Sequence, residues 1–158
     1  MFGDFEIHEP ATVPEAVDML TQFGDGATVY AGGTELLLIM KEGLVYYPHL
    51  VNIKTIPNLN SIAMENDKKR LRIGALVTHR QLEQTTLVRE RVPLLSEAAA
   101  RVGNLRVRIA GTIGGNVCFA EPHSDPATLL LACGASMELS GKNGIRTVPA
   151  EDFFVGLL

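Results

Sequence analysis

Cysteine is scarce: Cys118 and Cys133 are the only two in 158 residues, and they form no CxxC pair. Two thiolates cannot ligate an iron–sulfur cluster, and a structural disulfide is not expected in a reducing compartment. Both side chains are therefore expected to be small buried hydrophobes, and any redox chemistry would need an organic cofactor. Positive charge is not in excess either, with 14 Lys and Arg against 18 Asp and Glu and a formal net charge of −4. That excludes the concentrated basic surface that nucleic acid requires, so no nucleic acid partner is expected. The one basic cluster, Arg101, Arg106 and Arg108 around Asn104, is short and reads as a solvated face. Long apolar runs are missing as well: Leu36-Leu37-Leu38-Ile39-Met40 falls far short of the about 20 residues of a membrane span. Met1-Phe2-Gly3-Asp4 lacks the basic and apolar regions of a signal peptide. No transmembrane segment and a cytoplasmic location are the expectations.

Familiar signatures of catalysis and nucleotide binding are also absent. His8, His49, His79 and His123 are scattered, with no HExxH or paired spacing, so no metal site is expected. There is no GxxxxGK[ST] phosphate loop and no GxSxG nucleophile elbow. Gly24-Asp25-Gly26 lacks a third glycine and precedes a strand, the reverse of the dinucleotide fingerprint. No catalytic acid–base residue is assigned.

What is present alternates between elements. Thr12-Val13-Pro14-Glu15 has the capping-box form, and Val13, Ala16, Val17 and Leu20 follow at helical spacing until Gly24 and Gly26. Residues 27–31 read as a strand, a second helix runs from Thr34 through Met40 to Lys41 and Gly43, and Leu50 to Ile53 read as another strand. Strand, glycine turn, helix and strand form a small βαβ unit. After Pro57 the style changes. Ser61 to Glu65 and Arg70 to Leu76 flank Asn66-Asp67-Lys68-Lys69 as a hairpin, and Thr78-His79-Arg80-Gln81 offers a second capping box. Pro93 to Val102 has a helical pattern, Asp125-Pro126 caps a helix through Leu131, and Ala135 to Ser140 and Ile145 to Val148 form a second hairpin about Gly141 to Gly144. The fold class expected is α+β in two lobes, residues 1–56 and residues 57–158. The apolar stretch from Glu151 to Leu158, with no polar tail, suggests a fragment or a truncated open reading frame.

Two glycine motifs carry the chemistry. Ala31-Gly32-Gly33-Thr34-Glu35-Leu36 lies between a strand and a helix, where glycine permits close backbone approach and free N–H groups suit a phosphate. Thr34 could cap the helix and donate to a phosphate oxygen. Gly111-Thr112-Ile113-Gly114-Gly115-Asn116 reads as a second donor-rich loop able to wrap an anion, with Asn116 bonding its own backbone. Either motif alone is also compatible with a tight turn; together they point to a diphosphate ligand. In Pro122-His123-Ser124-Asp125-Pro126, Asp125 either caps a helix or accepts hydrogen bonds from ribose or ribityl hydroxyls.

The combination resembles one family over essentially the whole chain. AGGTELL, then IGALVTH at 73–79, PLLSEAAARVG at 93–103 and RIAGTIGGNVCFAEPHSDPATLLLA at 108–132 are similar to the FAD-binding medium subunit of molybdenum hydroxylases, the carbon monoxide dehydrogenase and xanthine dehydrogenase family. One departure is Arg108-Ile109-Ala110-Gly111-Thr112, where the family often has Arg-Asn-x-Gly-Thr. The resemblance implies two α+β subdomains with FAD between them. By residue matching it puts Ala31, Gly32, Gly33, Thr34 and Glu35 on a first FAD loop, Gly111, Thr112, Ile113, Gly114, Gly115 and Asn116 on a second, and Ser124 and Asp125 at a later polar contact. It also implies an iron–sulfur small subunit and a molybdenum large subunit as partners. The [2Fe-2S] clusters and molybdenum cofactor would lie on those chains, and electrons would pass through FAD to an acceptor. A flavin-free module that only contacts such partners, a stand-alone flavin reductase or oxidase, and a mononucleotide-binding regulator are the competing readings.

Overall fold

Thr12 starts the first helix by accepting a hydrogen bond from the Glu15 N–H at 3.3 Å, while the Glu15 carboxylate reaches back to the Ala11 N–H at 2.7 Å. This detail comes from a computed structural model that describes residues 3–65 and 69–155. The first lobe runs β1 (Glu6–His8), α1 (Val13–Phe23), β2 (Ala27–Tyr30), α2 (Leu36–Lys41) and β3 (His49–Asn52). Leu50 and Val51 are fully buried in β3, the central strand, which pairs in parallel with β1 on one side and β2 on the other. Ala16 of α1 packs with Val51 and Ile56, and Val13, Met19, Leu20 and Leu59 close around them. The βαβ expectation for this lobe holds. The sequence pattern did not disclose β1, three residues long with Ile7 half exposed.

The second lobe opens on an antiparallel ribbon, β4 (Ile62–Met64) with β5 (Leu71–Ile73). The turn expected at Asn66 to Lys69 lies largely outside the described residues. Six helices follow: α3 (His79–Gln84), α4 (Thr86–Arg91), α5 (Pro93–Arg101), α6 (Leu105–Ala110), α7 (Ile113–Phe119) and α8 (Asp125–Ala132). A second ribbon, β6 (Ser136–Gly141) with β7 (Gly144–Pro149), leads into the short α9 (Ala150–Phe153). Both ribbons press partly buried residues, among them Ile73 and Met137, onto a core of Val77, Leu82, Val88, Leu95, Ala99, Ile113 and Val117. Burial of each such side chain contributes about 1.5–3 kcal/mol. The fold class is α+β.

Several local expectations are corrected. Gly114, Gly115 and Asn116 are not loop but the first turns of α7, with Thr112 as cap. Ser124, not Asp125, caps α8; its hydroxyl accepts from the Ala127 N–H, and Asp125 stands exposed in the first turn. Thr34 caps nothing, because α2 begins at Leu36 after Glu35 with no side-chain cap. Cys118 and Cys133 are free and exposed instead of buried. Arg108 is not on a solvated face: it donates to the Val102 and Gly103 carbonyls at 3.3 and 3.2 Å and pairs with Glu83 at 3.4 Å. Among the described residues no helix is long and apolar enough to cross a membrane. The apolar end at 156–158 lies outside the described residues.

Candidate functional site

The two glycine motifs, 80 positions apart in sequence, meet backbone to backbone. A Cβ at Gly32 would collide with the Ala110 carbonyl group and come within 2.9 Å of the Gly111 Cα. The first loop therefore rests directly on the second, and the absence of a side chain is what allows it. Gly33 has φ +71°, in the left-handed region, and its Cα faces the Tyr30 ring and Leu37. On the other side of the contact, the Thr34 hydroxyl lies 3.4 Å from where a Gly111 Cβ would stand.

The loops differ in what they offer a ligand. In the second motif the backbone donors are occupied, except the Thr112 N–H, which has no acceptor among the described residues. Ile113 N–H donates to the Val77 carbonyl at 2.9 Å, Gly114 N–H to that of Ala75 at 2.9 Å, and Gly115 N–H to the Thr112 hydroxyl at 3.1 Å. Asn116 N–H closes the first helical turn onto the Thr112 carbonyl at 2.9 Å. In the first loop the N–H groups of Gly32, Gly33, Thr34 and Glu35 donate to no acceptor among the described residues. The anion-binding capacity expected of both motifs thus sits mainly in the first, with the second keeping one free donor at Thr112. What the second presents beyond that is bare helix surface: a Cβ at Gly115 would touch only the Thr112 hydroxyl, at 3.0 Å.

The second motif is held from behind by Ala75 to His79. Thr78 and Thr112 form an antiparallel bridge, and the His79 N–H donates to the Gly111 carbonyl at 3.1 Å. The His79 side chain is buried, 2 % exposed, and its Nδ1 has no partner among the described residues. Burial lowers its pKa from 6.5, so the ring is neutral at pH 7 and acts as a wall below Gly111. Asn116 does not bond its own backbone as expected; its Oδ1 accepts from the Ser124 hydroxyl at 2.7 Å. That link joins α7 to the start of α8 and brings exposed Asp125 to the same end of the lobe. Beside it, hydrogen bonds from His123 hold the Glu121 carboxyl below the usual carboxylate range. Packing around Cys118 pushes its thiol pKa up although the residue keeps an exposed edge, so it is no activated thiolate.

Where the lobes meet there is an open cleft of about 480 Å³, within the size range of small-molecule sites. Its walls include Ala31 and Gly32 from the first motif and Ala110 and Thr112 beside or in the second. They also include Gln81 and Ile109, which the sequence patterns placed in a capping box and beside the second motif but not in a site, and Lys54 and Asn60, which they did not single out. Lys54 Nζ stands 4.1 Å over the Tyr30 ring, which holds a cation at the cleft mouth. A single lysine or asparagine leaves no local pattern, and only the packing of the lobes assembles these residues. Ile109, at the position where the resemblance leads one to expect asparagine, is 57 % exposed into the cleft. The segment is anchored instead by Arg108 and by Asn104, whose side chain caps α6 through the Arg106 and Val107 N–H groups.

Comparison with known proteins agrees with this geometry. Residues 3–158 match the family described as the FAD binding domain in molybdopterin dehydrogenase. The carbon monoxide dehydrogenase medium chain of Hydrogenophaga pseudoflava is 41% identical over 152 residues, which are 96% of this chain and 52% of that one. The xanthine dehydrogenase FAD-binding subunit of Escherichia coli O157:H7 is 31% identical over 99% of this chain and 53% of its own. A structure of the Hydrogenophaga pseudoflava carbon monoxide dehydrogenase superposes with a TM-score of 0.96 at 40% identity, covering 99% of this chain and 54% of that one. The chain spans about half the length of the curated relatives it matches. It belongs to the family of FAD-binding domains of molybdopterin dehydrogenases.

Proposed function

We propose, from the premise that the chain belongs to this family, that it holds FAD for an oxidoreductase of the molybdenum hydroxylase type. The observation that carries the reading is the row of free N–H groups from Gly32 to Glu35, in a loop whose Gly32 rests on the Ala110–Gly111 backbone just before α7. Backbone N–H groups without protein partners favour a diphosphate, and Lys54 adds a positive charge on the same cleft. The residues present therefore fit the group. Ala31, Gly32, Gly33, Thr34 and Glu35 bind its phosphates. Gly111, Thr112, Ile113, Gly114, Gly115 and Asn116 form the wall it lies on. Asp125 accepts from its hydroxyl groups. Ser124 acts through Asn116 as a positioning residue, since its own hydroxyl is engaged.

FAD, when bound, supplies the electron-accepting and electron-donating chemistry. The chain's own residues bind and orient it, exclude water with Ile109 and Leu76, and move no proton. In the reading we adopt, an iron–sulfur small subunit and a molybdenum large subunit are the partners. Electrons reach the flavin from the [2Fe-2S] clusters of the former and leave to an acceptor, in the cytoplasm. Residues 1–56 and 57–158 act as the two subdomains of the flavin site, each built on a hydrophobic cluster, with Leu59 just past the boundary reaching back onto the first.

The test is flavin retention. The purified chain and a version extended to the length of its relatives are each incubated with FAD, freed of unbound ligand, and measured by absorbance and flavin fluorescence. Quenched flavin near one-to-one on either protein supports the proposal. Failure of both leaves a flavin-free, partner-contacting module as the better account.

A further inference from the structure

Glu6, His8 and His49 are scattered in sequence, but the fold gathers them at the edge of the sheet farthest from the flavin loop. Glu6 and His8 are two residues apart on β1 and share a face, and the parallel register sets Glu6 beside His49 on β3. His8 Nε2 lies 3.1 Å from His49 Nδ1, and the Glu6 carboxylate oxygen is 3.9 and 3.8 Å from those two nitrogens. A point equidistant from the three atoms lies about 2.1 Å from each, the bond length of zinc to imidazole nitrogen and carboxylate oxygen.

The rings are also oriented. Phe23 stacks on His49 with centroids 4.1 Å apart and contacts His8 at 4.8 Å, so neither imidazole swings freely. The two imidazole side chains are 22% and 28% exposed, against 75% for Glu6, giving a half-buried pair closed on its open side by one carboxylate.

We infer that Glu6, His8 and His49 form a binding site for a single divalent transition cation of the Zn²⁺ type, with water in the remaining position. Two imidazoles and a carboxylate are a borderline donor set suited to Zn²⁺ and not to Mg²⁺ or Ca²⁺. In the free protein one nitrogen of the His8–His49 pair must carry the shared proton. On binding, the metal takes that place, and the shared proton moves to the outer nitrogen of the ring that carried it, so that each neutral ring ligates through its facing nitrogen and holds its proton on the other. The ion would clamp β1, the shortest tie of the N-terminal segment, to the central strand. Four residues along β2, about 13 Å of extended chain, separate Ala27, the β2 partner of His49, from the flavin loop at Ala31. The metal site is therefore independent of the flavin reading.

The test uses the chain without a polyhistidine tag and with Cys118 and Cys133 alkylated, titrated with Zn²⁺ by calorimetry. The expected result is one Zn²⁺ per chain. Loss of a ligand should cost at least as much as loss of an outer-shell partner, so Glu6→Gln, His8→Asn and His49→Gln should each weaken binding about tenfold or more. His123→Asn, which removes the exposed His123–Glu121 pair, should leave binding unchanged. Zn²⁺ should raise the melting temperature of the parent chain and not that of Glu6→Gln. Because Glu6 is exposed, that variant keeps its fold even if a histidine variant does not. The absence of stoichiometric binding would overturn the site, as would binding that survives Glu6→Gln with His8→Asn or disappears with His123→Asn.

Discussion

Gly33 and Gly115 look equivalent in sequence, each the second of a glycine pair, and the structure gives them opposite work. Gly33 carries a left-handed φ of +71° and faces Tyr30 and Leu37, so Gly33→Leu combines backbone strain with overpacking. A loss of about 2–5 kcal/mol in chemical denaturation is expected. Gly115→Leu meets only the Thr112 hydroxyl and replaces a poor helix former within α7. Its stability should stay within about 1 kcal/mol of the parent while flavin retention disappears. His79 supplies the pH-dependent term. Its folded pKa is depressed, so below pH 6.5 the unfolded chain takes up a proton that the folded one refuses. The contribution is intact above pH 6.5 and is lost as pH falls below it, at no more than about 1.4 kcal/mol per unit. Melting curves from pH 7.5 down to 5 should show the slope in the parent and a shallower one in His79→Gln. The candidate site was legible as residue types and order, since both glycine motifs could be picked out from the sequence. Which donors remain free was not legible, because Val77 and Ala75, which occupy the Ile113 and Gly114 N–H groups, belong to a distant stretch of chain.

Elements with their own punctuation were readable: α1 and α3 from capping boxes, β6 and β7 from the Gly141 to Gly144 turn. Two others were not. Adjacent glycines make residues 113–119 a poor helix by propensity, yet α7 forms because Thr112 caps it and Ile113 and Val117 bury against the second core. β1 exists through pairing with β3 and not through any apolar alternation of its own. In the helical layer behind the cleft, Arg108 and Glu83 form one of the ties between helices. Arg108 ties the end of α5 to α6 and meets Glu83, whose own carboxylate also pairs with Arg80 at 2.7 Å. Arg108→Met should cost about 1.5–3 kcal/mol, because the lost hydrogen bonds are charge-assisted and its side chain is only 17% exposed. Arg80→Met, at a more exposed position, should cost about 0.2–1 kcal/mol by the same denaturation assay. Flavin affinity should fall in the first variant only, since Ile109 and Ala110 of the cleft wall follow Arg108 on α6.

At the scale of the molecule, two lobes, each with its own hydrophobic cluster, meet where α1 packs on β6 and at the glycine contact. A ligand bridging that contact stabilises both. At a concentration of about 100 times its dissociation constant FAD should add about 2.7 kcal/mol, raising the melting temperature by about 5–10 °C. Gly115→Leu should show no such rise in the same thermal scan. The packing of Gly32 on Ala110 has one more consequence, for how such sequences change over time. A side chain at position 32 would prise the lobes apart with or without flavin, so natural selection for folding alone holds that glycine in place. Position 115 has no such guardian. A descendant that abandoned its cofactor would keep AGGT intact and drift first at the second glycine of GTIGGN, so a flavin-free lineage would be told apart by that position and not by the first motif.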